Sequence, residues 1–258
     1  MILALNIGNS NITFGGYTPD GKLVFSSRLF ADTALSSDEL LYKIVNMLAL
    51  YGAEPQQITA VIFSSVVPAL TPRLREALRK MCECQIMEVG PGLKSGVRIR
   101  MDNPAQLGGE LLCAIVGALQ RCTPPCVVVN FDTATTLLAV DSTGALVGGI
   151  LPGPQCSLSA LVRNTAQLPQ VELEARPRRL LGANTADCLH SGIVYGTAAM
   201  LDGMVAQIRA ALGAPDAPVV ATGTLPDSVR TACATDIVYR ETLVLEGLYW
   251  IWKKNTRK

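Results

Sequence analysis

The chain lacks an excess of either charge. Its 258 residues carry 22 Lys and Arg against 21 Asp and Glu, a net charge of +1. A protein that grips nucleic-acid phosphates needs a clear positive surplus, so no nucleic acid is expected as a partner. Long apolar runs are missing too. Mean hydropathy is positive at +0.32, yet the longest apolar stretch, Leu111 to Leu119, is about half the ~20 residues of a spanning helix and includes Gly117. The opening Met1-Ile2-Leu3-Ala4-Leu5 has no basic leader and breaks at Asn6, unlike a signal peptide. A soluble, cytoplasmic protein with no membrane partner is the expectation. Histidine is reduced to His190, set in a helical pattern without a neighbouring nucleophile; a general base needs a positioned partner, so His190 is not a catalytic candidate. Eight cysteines are present, but Cys82/Cys84 and Cys122/Cys126 have no second pair at zinc-ribbon spacing. Free thiols are expected.

What is present is a large apolar fraction, 49% against 17% charged, ample for a buried core. The pattern alternates between strand and helix. Ile2–Leu5 reads as a buried strand, the polar turn Asn6-Ile7-Gly8-Asn9-Ser10-Asn11 follows, and Ile12–Gly15 and Lys22–Ser26 complete a meander. Ser36 with Glu39 forms a capping box before Leu40, Leu41, Ile44, Val45 and Leu48 at helical spacing. Ile58–Ser64 is a strand, Thr71-Pro72 a helix start, and Gln85–Val89 another strand. Pro104 is expected to open an apolar helix to about Gln120.

The second half repeats the first. Cys126–Val129 is a strand, Asn130-Phe131-Asp132-Thr133-Ala134-Thr135 a polar turn, and Thr136–Val140 and Leu146–Ile150 the rest of a meander. Asn130 falls on Asn6, Asp132 on Gly8 and Thr133 on Asn9. A long helix from about Thr185 to Leu212, a strand Val219–Thr222 and a last helix Leu243–Lys253 follow. The fold class is α/β, with duplicated domains at 1–121 and 122–258. Turns of small residues let backbone N–H groups and hydroxyls approach phosphate oxygens. Most such turns are ordinary hairpins; two at matching places in a repeat point to a shared phosphate cleft.

The motifs resemble those of the type III pantothenate kinases, members of the actin-like and sugar-kinase superfamily. Asn6-Ile7-Gly8-Asn9-Ser10-Asn11 is similar to that family's D-x-G-N-T-N loop. Ser64-Ser65-Val66-Val67-Pro68 with Leu70-Thr71 matches S-S-V-V-P-x-L-T, and Asn103-Pro104 through Gly108 matches N-P-x-x-x-G. Phe131 through Thr136 matches most of D-F-G-T-A-T-T. Gly148-Gly149 with Pro152-Gly153, Thr165-Ala166 with Leu168-Pro169, Gly182 with Asn184-Thr185, and Ser191-Gly192-Ile193-Val194-Tyr195-Gly196 follow in order.

The resemblance implies two ribonuclease-H-like, actin-like ATPase domains around a nucleotide cleft. It also implies ATP-dependent phosphorylation of pantothenate in coenzyme A synthesis, with Mg²⁺, a monovalent cation (K⁺ or NH₄⁺) and a homodimer. Carried over, Asn6, Gly8, Asn9, Ser10, Asn11, Thr13 and Thr133 would bind the nucleotide. Gly108, Gly109, Leu111 and Thr185 would touch pantothenate. Glu110 stands at the catalytic base, Asn130 at the cation ligand, and Asp132, sharing a face with Asn130, is a second cation candidate. The chain departs from the family at Asn6 and Asn130 (aspartate there), Asp132 (glycine), Met101 (often tyrosine) and Gly109-Glu110-Leu111 (Ala-Asp-Arg). Neutral amides bind hard cations more weakly than carboxylates, and leucine cannot pair with the substrate carboxylate. Three readings stay open: a kinase with Glu110 as base, a weakened paralogue acting as regulatory or partner subunit in a mixed dimer with an intact kinase, and a kinase for another small hydroxylated substrate.

Overall fold

The computed structural model describes residues 1–132, 134–151, 159–161, 163–165, 169 and 176–256. Thr133, Cys156 and the matched Pro152-Gly153, Ala166 and Leu168 lie outside the described residues. The chain divides into two compact units. One gathers Met1–Val97, Asn103–Gln120 and Thr242–Lys258; the other holds Arg98–Asp102 and Arg121–Glu241.

The first unit is built on five strands: β1 (Ile2–Ile7), β2 (Asn11–Tyr17), β3 (Leu23–Phe30), β4 (Ala60–Ser65) and β5 (Gln85–Glu88), in the order β3-β2-β1-β4-β5. The meander β1-β2-β3 is antiparallel, while β4 joins β1, and β5 joins β4, in parallel. Side chains alternate between faces, and both faces are covered. Leu3, Leu5 and Ile7 lie in one core with Phe14, Val61 and Phe63 and with two helices, α1 (Ser37–Leu50) and α2 (Thr71–Met81). The expected capping box is present: Ser36 Oγ accepts from the Glu39 N–H, and Glu39 accepts from the Ser36 N–H at 2.8 Å.

The other face carries Ala4, Asn6, Gly15 and Ser64. It is covered by α3 (Gly109–Ala118) and by a helix from the far end of the chain, Leu243–Thr256. A Cβ added to Gly15 would lie 3.2 Å from Leu245 Cδ1. Pro104 does not start the α-helix that the apolar pattern predicts. Pro104–Gln106 is a single 3₁₀ turn, capped by the Asn103 side chain accepting from the Ala105 N–H at 3.2 Å, and the α-helix begins at Gly109 after Gly108 in extended backbone.

The second unit repeats this plan. Strands β6 (Cys126–Phe131), β7 (Thr135–Val140), β8 (Leu146–Ile150), β9 (Val219–Gly223) and β10 (Ile237–Tyr239) order as β10-β9-β6-β7-β8, which is the first order read from its other edge. Even the irregularity repeats: β2 bulges at Gly16/Tyr17 and β7 at Ala139/Val140. A long helix, α4 (Thr185–Ala211), lays Val194, Ala198, Leu201, Val205 and Ile208 on Val127, Val129 and Phe131. A short helix, α5 (Asp227–Arg230), follows β9, and Leu243–Thr256 is α6. Two mixed five-stranded sheets of one topology are the duplicated ribonuclease-H-like design that the resemblance implies. Among the described residues no helix is long and apolar enough to cross a membrane, and the seven described cysteines are free thiols.

Helices α3 and α6 meet backbone to backbone. A Cβ on Gly117 would lie 2.3 Å from the Leu243 carbonyl oxygen, and one on Gly247 would lie 1.8 Å from that of Cys113. Gly247→Ala should therefore cost about 3 kcal/mol, the upper end for overpacking, seen as a lowered urea midpoint. Gly203→Ala, on exposed α4 with nothing within 4 Å of the new Cβ, should raise stability by about 1 kcal/mol. Matching shifts for the two variants would show that the close approach carries no weight.

Candidate functional site

In the first unit the polar residues gather at the carboxyl ends of the parallel strands. Asn6 sits across from Thr13 on β2 and Ser64 on β4. Both Asn6 and Ser64 are buried, and Asn6 Oδ1 and Ser64 Oγ have no hydrogen-bond partner in the protein. A buried polar group left unpaired costs about 1–3 kcal/mol, so two side by side mark a place where folding is not the only constraint. After Ile7 the chain turns: the Gly8 N–H donates to the Asn11 carbonyl at 2.9 Å, and the Ser10 carbonyl accepts from the Ala31 N–H at 3.0 Å. Asn9 and Ser10 are exposed, Asn11 and Thr13 half-buried.

The start of α3 lies over the same strand end. A Cβ on Gly109 would meet Ser64 Oγ at 2.7 Å, so the helix terminus approaches β4 as closely as it does only because residue 109 is glycine. Glu110, in the first turn, is 9% exposed. The positive end of a helix dipole favours a carboxylate there. Burial, and after it the Glu110 charge, push the neighbouring Cys113 thiol above its ordinary value, which leaves Cys113 inert. Leu111 is half-buried beside Glu110, and Gly108 is the N-cap, with Val66 Cγ1 3.5 Å from where its Cβ would be. The structure thus brings Asn6, Thr13, Gly109 and Glu110 to one end of one sheet.

The second unit repeats the arrangement. Asn130 is buried on β6, across from Thr136 on β7 and beside Thr222 on β9. By register Asn130 is the counterpart of Asn6, and the turn beyond it is one residue shorter: Phe131 pairs with Thr135, whereas Ile7 pairs with Ile12. Asp132, half-buried, takes the place of Gly8. Thr135 Oγ1 is buried without a partner in the protein. Gly223 (φ +92°) follows Thr222 because a Cβ there would lie 2.2 Å from the Phe131 carbonyl oxygen. Thr185 is the exposed first residue of α4, after the N-cap Asn184, whose Oδ1 accepts from the Asp187 N–H at 2.9 Å.

Sequence reasoning did not single out Ser64, Thr135 or Thr222 as site residues. A signal was there for two of them. In each of the four central strands an apolar run gives way to a polar residue: Leu5-Asn6, Phe63-Ser64, Val129-Asn130 and Ala221-Thr222. All four offer uncharged oxygens, which suit hard cations but hold them less tightly than carboxylates. Among the described residues no group of three or more His, Cys, Asp or Glu side chains could hold a metal ion.

Known proteins place the fold and the family of this chain. Two solved structures share the fold. One is component A of (R)-2-hydroxyglutaryl-CoA dehydratase from Acidaminococcus fermentans, with TM-score 0.58, 12% identity and 99% of each chain covered. The other is the activator of 2-hydroxyisocaproyl-CoA dehydratase from Clostridium difficile, with TM-score 0.53 and 10% identity over 100% of this chain and 98% of that one. Such identities speak for the fold alone. The type III pantothenate kinase of Myxococcus xanthus is 37% identical over 256 residues, 99% of each chain. That of Halalkalibacterium halodurans is 34% identical over 99% of this chain and 100% of its own, and that of Rhodospirillum centenum 35% over the full length of both. The family model for type III pantothenate kinase matches residues 2–207. The chain belongs to the type III pantothenate kinase family.

Proposed function

We propose that this chain transfers the γ-phosphoryl group of ATP to the hydroxyl of pantothenate, giving 4′-phosphopantothenate at the entry to coenzyme A synthesis. The observation that carries this reading is Glu110: a buried carboxylate in the first turn of α3, set over a strand end where Asn6 and Ser64 hold unpaired oxygens. Phosphoryl transfer asks a protein mainly to position its substrates and to neutralise charge. Glu110 accepts the proton of the pantothenate hydroxyl as that oxygen attacks. Asn6, Gly8, Asn9, Ser10, Asn11, Thr13 and Thr133 bind the nucleotide phosphates through backbone N–H groups and short polar side chains. Gly108, Gly109, Leu111 and Thr185 receive pantothenate.

The oxygen chemistry of these residues fits Mg²⁺ that arrives with the nucleotide, since Asn6 Oδ1 is a buried acceptor without a partner in the protein. Asn6 would hold the ion, which, when bound, supplies charge neutralisation for the phosphates. Asn130 and Asp132 would hold a monovalent cation. The active form is a homodimer. One specific observation favours a second reading, a weakly active paralogue that completes a mixed dimer: three positions that carry charge in the family are neutral here, Asn6, Leu111 and Asn130.

Three measurements test these assignments. In a coupled assay with ATP and pantothenate, Glu110→Gln should lower kcat by roughly 10²- to 10⁴-fold, the usual weight of a general base, with little change in KM. A wild type that turns over only when mixed with an intact paralogue would favour the second reading.

Asn6→Asp places a carboxylate in a buried site. Without ligand it should lower Tm, because a buried charge without compensation is costly; with Mg-ATP it should gain more Tm than the wild type does. Equal ligand-induced shifts would remove Asn6 from the metal site.

Leu111→Arg restores a donor for the pantothenate carboxylate. A charge-assisted hydrogen bond contributes about 1.5–3 kcal/mol, so calorimetry should show pantothenate binding tightened by roughly 10- to 150-fold. Tight binding by the unmodified chain, unaffected by Leu111→Arg, would mean that the carboxylate is held elsewhere.

A further inference from the structure

Away from the site just described, α2 ends and β5 begins across Cys82-Glu83-Cys84. Cys82 caps the carboxyl end of α2 in extended backbone, φ −149° and ψ 146°. Glu83 and Cys84 then form a bend, and the two sulfurs lie 3.0 Å apart. A disulfide requires a sulfur–sulfur distance of about 2.05 Å, so closure brings the two sulfurs together by roughly 1 Å. Both thiols are half-buried and line a cavity of about 550 Å³ together with Arg75, Arg79, Ile86 and Glu88. That opening gives a small molecule access to the sulfurs.

From this geometry we infer that Cys82 and Cys84 form a reversible dithiol–disulfide couple that exchanges with low-molecular-weight disulfides. A soft metal is the other partner of paired thiols, but it needs further ligands, and no set of three metal-binding side chains exists among the described residues.

The exchange balances without a further reagent. Cys82, as thiolate, attacks one sulfur of the small disulfide; a Cys82 mixed disulfide forms, and the released thiolate takes up a proton. Cys84 then loses its proton to solvent and attacks Cys82 Sγ, expelling the second small thiol. Two protein thiols are oxidised and one small disulfide is reduced to two thiols. The order follows from the surroundings. Burial, together with the hydrogen bond and charge of Cys82, pushes the Cys84 thiol up to about 12, so Cys84 waits protonated and resolves the adduct. The ring closed by a Cys-x-Cys bridge is short and removes little chain entropy. Such a bridge is easily reduced, as befits a labile disulfide rather than a structural one.

The test treats the full chain with oxidised glutathione, blocks the remaining thiols by alkylation and examines the tryptic peptide Met81–Lys94 by mass spectrometry. The expected product is that peptide unalkylated and lighter by two hydrogens, restored by dithiothreitol. Cys84→Ser should instead retain a glutathione adduct on Cys82, and Cys82→Ser should react at least tenfold more slowly at residue 84. Cys188, which is exposed, reports that the reagent was competent. A peptide with both thiols alkylated while Cys188 carries glutathione would overturn the inference, as would adduct formation in Cys82→Ser as fast as in the wild type.

Discussion

The close contact of α3 with α6 is the constraint on which the first unit depends. Helices usually pack 8–10 Å apart because side chains intervene; here Gly117 and Gly247 leave only backbone between them. The contact joins residues more than a hundred positions apart and sets the level at which α3 begins. That level brings Gly109 against Ser64 and buries Glu110. Helix α6 is held in turn on the sheet by Tyr249, whose ring stacks on Tyr17 with centroids 5.1 Å apart and whose hydroxyl donates to the Pro19 carbonyl at 2.9 Å. The surroundings of the candidate base therefore depend on residues at the far end of the chain.

Local chemistry was legible in the sequence and partnership was not. The capping box at Ser36, the helix start at Thr71-Pro72 and the strand Leu146–Ile150 fall where residue type and period place them. Strands β1 and β6 run two residues beyond the apolar runs that announce them, because Asn6 and Asn130 keep pairing with both neighbours. An asparagine disfavours a strand on its own, and only the sheet on either side keeps it there. The amphipathic pattern of Leu243–Thr256 shows that the helix buries one face but not which sheet receives it; the first unit does. Proline at a first helical position is common, so the sequence predicts a helix from Pro104. Leu107 and Gly108 turn to extended backbone and end that segment after a single 3₁₀ turn, a break that no apolar period records.

The candidate site shows the same division. Asn6 and Asn130 were legible as a pair, since the repeat aligns them and the strand registers place them identically. Ser64 and Thr222 belong beside them only through parallel pairing with strands distant in sequence. Parallel neighbours have no hairpin to announce them. Duplication thus keeps the strands, the register and even the bulge in β2 and β7 constant, while the connections differ in length: Ile7 pairs with Ile12 in one unit, Phe131 with Thr135 in the other.

Those differences decide where charge is held. A carboxylate on a central strand end must be buried, and a buried ion costs several kcal/mol unless it is fully paired. This chain leaves its four strand ends uncharged, as Asn6, Ser64, Asn130 and Thr222. Its carboxylates stand on elements that tolerate them better. Glu110 occupies the first turn of a helix, where the dipole favours negative charge, and Asp132, past the end of β6, is only half-buried. The folded state avoids the penalty of buried strand-end charges. In exchange, under the proposed function, less of the attraction for a cation is built into the protein, and more must come from the phosphates of the nucleotide.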